Sequence, residues 1–321
     1  MRGSATATGT GVRARAHRLW HRLPTGPTRM LRGFSWASLV ANILIIGTGG
    51  AVRLTGSGLG CPTWPLCTPE SLVSTPEMGI HGVIEFANRT LTGVLGIIAV
   101  AVVLAVIRWR RDRPDLFDLG VVVAGGILLQ ALIGGITVLT GLNPFVVGVH
   151  HVISTLLVCV CTVFLFRLGP SGGASPPGGR ASRLLRPLAV AIAALAGITT
   201  VLGVLTTGAG PHSGDAAAGR SGFDATVLQH LHATPSYLLL GLTVLLVAVT
   251  VMLRHPARRA AVTLLSIEAG QIAVGLFQAR NGLPPLAVGV HMVLAAVLAA
   301  SVTWMLCTVW VARPARVGAG R

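Results

Sequence analysis

The segment Gln130–His150, QALIGGITVLTGLNPFVVGVH, returns without a gap 141 positions later as Gln271–His291, QIAVGLFQARNGLPPLAVGVH. Gly134 aligns with Gly275, Gly141 with Gly282, Leu142 with Leu283, Pro144 with Pro285, and Gly148-Val149-His150 with Gly289-Val290-His291. A chain that repeats itself in this way is built from two copies of one unit, so the fold of one half constrains the other. Each copy is apolar and each ends on a histidine just inside a hydrophobic run. An ionisable side chain at such a depth is a functional hypothesis by default, and here it is posed twice.

Hydrophobic residues make up 52% of the 321 positions and charged residues 11%, with a mean hydropathy of +0.76. That balance excludes an ordinary soluble globule. Apolar segments at 34–54, 78–108, 119–140, 145–167, 186–207, 225–253, 260–280 and 286–312 each reach the roughly 20 residues that span a bilayer core. They are continuous runs rather than alternating stretches, which favours helices over a β-barrel. The expected fold is an all-α polytopic membrane protein whose eight transmembrane helices form two pseudo-symmetric four-helix bundles. A basic cytoplasmic segment occupies 1–33, the first half 34–168, a flexible Gly/Pro/Ser-rich linker 169–185, the second half 186–312 and a tail 313–321.

The net charge of +16 does not point to nucleic acid, because the arginines are placed by topology. They cluster before the first segment (Arg13, Arg15, Arg18, Arg22, Arg29, Arg32), between the second and third (Arg108, Arg110, Arg111, Arg113), around the linker (Arg167, Arg180, Arg183, Arg186), between the sixth and seventh (Arg254, Arg258, Arg259) and at the end (Arg313, Arg316, Arg321). The positive-inside rule puts these groups and both termini in the cytoplasm, leaving Arg53, Arg220 and Arg280 outside. The first segment runs on into Arg53 and a glycine-rich loop without an A-x-A cleavage pattern, so it reads as a helix rather than a secretion signal.

The repeat extends beyond its clearest stretch. Thr55-Gly56-Ser57-Gly58 matches Thr207-Gly208-Ala209-Gly210, and Glu85-Phe86-Ala87-Asn88-Arg89 matches Gln229-His230-Leu231-His232-Ala233. Both halves keep the same orientation, which makes a parallel repeat about an axis along the membrane normal. His150, His291, His232, Glu85 and Asn88 then all lie near the outer face, about 10 Å below it at about 1.5 Å per residue. His232 and His291 would face one another across a bundle, as two imidazoles clamp a haem iron. A hydrogen-bonded packing histidine is the competing reading for either one alone; duplication and matched depth favour ligation. His230 is two residues from His232 and points to another side.

In the first half His150 repeats His291, but Asn88 stands where His232 would be. His81, seven residues earlier on nearly the same face, is either a substitute ligand or an interfacial histidine at a helix start, and His151 packs or caps. Glu85 in a membrane helix costs several kcal/mol unless paired or protonated. With Arg89 one turn on, it is either half of a structural ion pair or a proton acceptor beside an oxidised substrate. Gln229 and Ala233 at the matching positions favour the second reading, since a pair needed only for the bundle would be expected in both. Cys61 and Cys67 close a short ring outside the cytoplasm, where a disulfide can persist, as a structural clip or as a redox pair. Cys159, Cys161 and Cys307 lie within apolar segments as small hydrophobic residues. His212 and Asp215 sit in the loop GAGPHSGD, to seat polar substrate groups or to form a turn.

The loop V-R-L-T-G-S-G-L-G-C-P-x-W-P-x-C at 52–67, the E-F-x-N-R motif at 85–89, the histidines of the fourth, sixth and eighth segments and the G-P-H-S-G-D loop at 210–215 together resemble the bacterial haem A synthases. The resemblance covers about Ser35 to Trp310. It implies an enzyme of the bacterial plasma membrane that oxidises a methyl group of haem O to a formyl group, giving haem A for cytochrome oxidase. It further implies a haem b cofactor with His232 and His291 as axial ligands, a haem O substrate with His150 on its iron, and Glu85 as the catalytic carboxylate. Some members carry E-x-x-H-R where this chain has Asn88, so His81 is the substitute for that ligand, with Asn88 and Arg89 beside the substrate. Arg53 and Arg280 either pair with haem propionates or snorkel to the interface. Implied partners are the enzyme that makes haem O, an unidentified electron acceptor and the lipid bilayer. The rival class is a di-haem b-type membrane electron carrier without haem-modifying activity, against which Glu85 in only one half argues. A transporter would instead need its polar residues at mid-membrane.

Overall fold

The computed structural model describes residues 23–169 and 180–310, together with 17, 18, 20 and 21. Most of the basic N-terminal segment, the linker at 170–179 and the tail from 311 lie outside the described residues. Among the described residues eight long helices follow in order: α1 Arg29–Leu54, α2 Gly79–Val106, α3 Pro114–Leu139, α4 Pro144–Leu168, α5 Arg180–Ala209, α6 Ala225–Met252, α7 Arg258–Arg280 and α8 Pro285–Trp310. All eight are long and apolar enough to cross a membrane, and the described residues contain no strand.

The helix ends follow from local chemistry. Thr28 Oγ1 accepts the Leu31 amide at 3.0 Å and opens α1; Asn143 Oδ1 accepts the Phe145 amide at 3.0 Å just before Pro144; Asp224 Oδ1 accepts the Thr226 amide at 2.8 Å. Such caps satisfy amides that have no partner within the helix, and proline at the first position loses nothing. The ends of α3 and α7 are copies of each other. Gly141 and Leu142 have φ of 60° and 59°, Gly282 and Leu283 φ of 70° and 60°, and the leucine amides reach back to Thr137 O at 2.8 Å and Gln278 O at 2.9 Å. Glycine takes this left-handed turn without strain.

Each half closes into a ring. In the first, α1 packs on α2, α2 on α3, α3 on α4 and α4 on α1; in the second, α5 on α6, α6 on α7, α7 on α8 and α8 on α5. The halves meet through α1 with α8, α4 with α5, and α4 with α8. Exchanging the halves leaves that set of neighbours unchanged. Leu39, Ile46, Leu95, Ala99, Val123, Ile127 and Val158 fill the first ring, with Ala296 entering from α8. Leu185, Ile192, Leu239, Leu246, Leu264 and Met305 fill the second. Ile97 is 72% exposed, Leu128 69% and Leu286 82%; such outward leucines and isoleucines on a chain of this hydropathy suit lipid rather than water.

Candidate functional site

In the second half, His232 on α6 and His291 on α8 face each other with ring centroids 6.3 Å apart and planes at 78°. The Nδ1 of His232 donates to Thr199 O on α5 at 2.9 Å. A carbonyl only accepts, so this bond fixes the proton on Nδ1 and leaves the Nε2 lone pair free. Gln271 on α7 donates to His291 O at 3.2 Å, with its amide nitrogen 3.3 Å from His291 Nε2. The buried Nδ1 of His291 and Oε1 of Gln271 have no partner. A Cβ on Gly203 would come within 2.8 Å of His232 Cε1, and one on Gly275 within 3.1 Å of His291 Cε1. Both imidazoles therefore lie flush against helices that carry no side chain there.

The centroid spacing suits two imidazoles on opposite sides of one iron, at metal–nitrogen bonds of about 2 Å. Among the described residues no three of His, Cys, Asp and Glu gather to hold a metal ion. An iron here would have to bring its own equatorial ligands, as it does in a porphyrin. The free Nε2 of His232, the facing rings and the glycine-lined backs fit a bis-imidazole haem.

The first half keeps the same register with a different outcome. Gln130 donates to His150 O at 2.8 Å and also to Ser154 Oγ, and the buried Nδ1 of His150 has no partner. A cleft opens here, lined by Asn42, Asn88, Gln130, His150 and His151 and by Met292 of α8. Asn88 takes the place of His232, and its Oδ1 accepts from Thr48 Oγ1 on α1 at 2.7 Å. The structure thus brings His150 and Asn88 together. His151, read from sequence as a packing or capping residue, joins them. His81 does not: it is exposed, its Nδ1 lies 2.9 Å from Ser57 Oγ, and it is not among the residues that line the cleft. The reason is positional, since α2 starts only at Gly79 and His81 falls in its first turn.

Glu85 is 5% exposed and points at the loop rather than the cleft. Its Oε2 accepts the Cys61 amide at 2.7 Å, and its Oε1 takes Arg89 through Nε at 3.1 Å and Nη2 at 2.5 Å. Arg89 also donates to Cys61 O at 2.8 Å, Thr63 O at 2.9 Å and Leu66 O at 3.2 Å. Cys61 and Cys67 are joined by a disulfide. One carboxylate and one guanidinium thus gather the backbone of the whole loop, which is how a charged pair is tolerated at such burial.

Arg53 on α1 reaches across to the second half. Its Nε donates to His212 O at 2.5 Å and its Nη2 to Thr207 O at 2.7 Å. Close by, the Gly58 amide donates to Gly214 O at 2.8 Å and His212 Nε2 donates to Leu283 O at 3.0 Å. Its guanidinium is occupied in latching the halves, whereas Arg280 is exposed. His230 is exposed as well, with Nδ1 on Thr226 O at 2.8 Å. Sequence reasoning missed Gln130 and Gln271 as the groups that seat the two duplicated histidines; their place at the head of the repeat was the available signal.

A profile of the COX15-CtaA family, described as cytochrome oxidase assembly protein, matches residues 32–303. The chain is similar to the heme A synthase of Bacillus pumilus, 40% identical over 131 residues, which cover 39% of this chain and 40% of that protein. It is 31% identical over 148 residues to the heme A synthase of Geobacillus kaustophilus, covering 44% and 45% of the two. To that of Listeria welshimeri it is 29% identical over 143 residues, again 44% and 45%. The matched stretch therefore spans under half the length of each relative.

Proposed function

Since this chain belongs to the COX15-CtaA family of cytochrome oxidase assembly proteins, we propose that it is a haem A synthase, oxidising the methyl group of haem O to the formyl group of haem A. One observation carries the reading: a duplicated histidine is offered in two settings. In the second half the setting is a closed pair, His232 and His291 at 6.3 Å. In the first it is an open cleft lined by His150 and its chain neighbour His151, with Asn88 where the second half has His232. A pair suits a resident group, and a lone ligand in a cleft suits a visiting one. A di-haem carrier would have reason to close both.

Haem b bound between His232 and His291 would supply reversible one-electron capacity. His150 binds the iron of the haem O substrate, with Gln130 holding its backbone and Asn88 and His151 lining the same cleft. Glu85, three residues before Asn88 on the helix surface, faces the disulfide loop, and from that side it would accept the protons released as the methyl carbon is oxidised. Arg89 pairs with that carboxylate and holds the disulfide loop above it. Arg53 ties the α1 end to the loop at 210–215, so that the two halves keep a fixed relation. The arginine pattern supports an orientation with both termini in the cytoplasm and the disulfide loop outside a bacterial plasma membrane.

Co-expression with a source of haem O followed by pigment extraction tests the reading. Haem A should appear with the wild-type chain and vanish with His150→Ala. Recovery of haem O alone in repeated trials, from cells in which the protein is present and haem-loaded, would overturn it.

A further inference from the structure

Glu268 lies midway along α7 and is 2% exposed. Its carboxylate faces the hydroxyl of Thr243 on α6, itself 0% exposed, and among the described residues neither group has any other polar partner. Leaving a carboxylate unpaired at such a depth is costly, and it persists in membrane proteins where it has work to do.

The repeat shows where this acid sits. Glu268 precedes Gln271 by three residues, as Ile127 precedes Gln130, and Ile127 lines the first-half cleft. In the register that places His232 on Asn88, Thr243 falls on Ala99. Ala99 and Ile127 belong to one buried apolar cluster. At the same place in the second half, an alanine and an isoleucine are thus replaced by a threonine and a glutamate, one helical turn below the glutamine that seats His291. A residue kept for packing would have stayed apolar, and one kept for an ion pair would have a partner.

We propose that Glu268 is a redox-linked proton acceptor for the iron site of the second half, taking up a proton when that site takes up an electron. The proposal rests on the reading of His232 and His291 given above. The helices packed against α7 are α6 and α8. Their titratable groups are His230, His232 and Tyr237 on α6, and His291 and Cys307 on α8; α7 itself adds Arg258, Arg259 and Arg280. None of these forms an ion pair with Glu268 among the described residues, and His230 and Tyr237 are exposed. The balance is simple. An electron released by oxidation of the substrate methyl group reduces the ferric site to ferrous, a proton from water binds the carboxylate, and net charge is unchanged. In a medium of low dielectric that neutrality is worth having. The sign follows: as pH rises the proton is harder to supply, so reduction becomes less favourable.

The test is a spectroelectrochemical titration of the purified, haem-loaded protein between about pH 6 and 9. In the wild type each pH unit should shift the reduction equilibrium by up to tenfold, about 59 mV for one electron, with the midpoint falling as pH rises. Glu268→Gln should lose that dependence. It should also remove a protonated-carboxyl band from the reduced-minus-oxidised infrared spectrum. Both Glu268→Gln and Glu268→Leu should stay folded with full haem content. A wild-type midpoint independent of pH, or equal slopes in wild type and Glu268→Gln, overturns the proposal, as does loss of haem from both variants, which would make Glu268 structural. If wild-type protein makes haem A while its midpoint stays flat, only the role of Glu268 falls. If it binds no haem in the second half, the reading beneath it falls too.

Discussion

Each half of the molecule buries one glutamate, and the two are handled in opposite ways. Glu85 has its oxygens spread over Arg89 and the Cys61 amide, whereas Glu268 faces only the hydroxyl of Thr243 and no charged partner. The first arrangement holds a charge in place and uses it to gather a loop. The second leaves a carboxylate whose charge depends on what happens nearby. Two copies of one unit have thus kept the His150/His291 register while moving their acid, one to the underside of the disulfide loop and one to a turn below the glutamine that seats His291.

The comparison can be broken most forcefully at Arg89. Arg89→Met strands the Glu85 carboxylate under the loop, and removing one partner of a buried pair costs about 3–5 kcal/mol. Thermal melting should fall sharply, and Glu85→Gln in the same chain should restore much of the loss; a single variant melting like wild type would remove the clamp. Next comes Cys61→Ser, which opens a short ring worth about 2 kcal/mol in chain entropy. It should lower the melting temperature less than Arg89→Met does, because the Arg89 bonds to the loop backbone remain. The reverse order would make the disulfide the main fastener.

Asn88→His sharpens the contrast between cleft and pair. By giving His150 a facing imidazole it should raise bound haem from about one to about two per chain, with a stronger bis-imidazole spectrum; unchanged haem content would mean that Asn88 does not face the ligand position. The smallest effect is expected for Gly275→Ala. Its methyl group would stand 3.1 Å from His291 Cε1, so the ring must shift by a few tenths of an ångström. The low-spin absorbance should move while haem is retained, and an identical spectrum would show that the glycine is not needed to seat the ring.

The eight spans were legible because continuous apolar runs carry their own length criterion, and the paired histidines because duplication marked them. The helix starts were less so. α1 begins at Arg29 and α5 at Arg180, where charged and polar residues continue the helix without raising hydropathy. Arg89 as the partner of Glu85 followed from their four-residue spacing. The Cys61 amide did not, since nothing in a sequence says where a loop folds back. Seven-residue spacing set His81 on the face of Asn88, yet the spacing is silent on how far the helix extends, and Ser57 takes the ring. Glu268 had a signal of its own, an acid inside an apolar helix, hidden because it lies just before the segment in which the repeat is plainest.

Haem content per chain, measured side by side for His291→Ala and His150→Ala, tests the division of labour most directly. The account predicts that His291→Ala loses the resident low-spin haem, while His150→Ala keeps it at the wild-type level and makes no haem A. Equal loss in both variants, or loss only in His150→Ala, would contradict it.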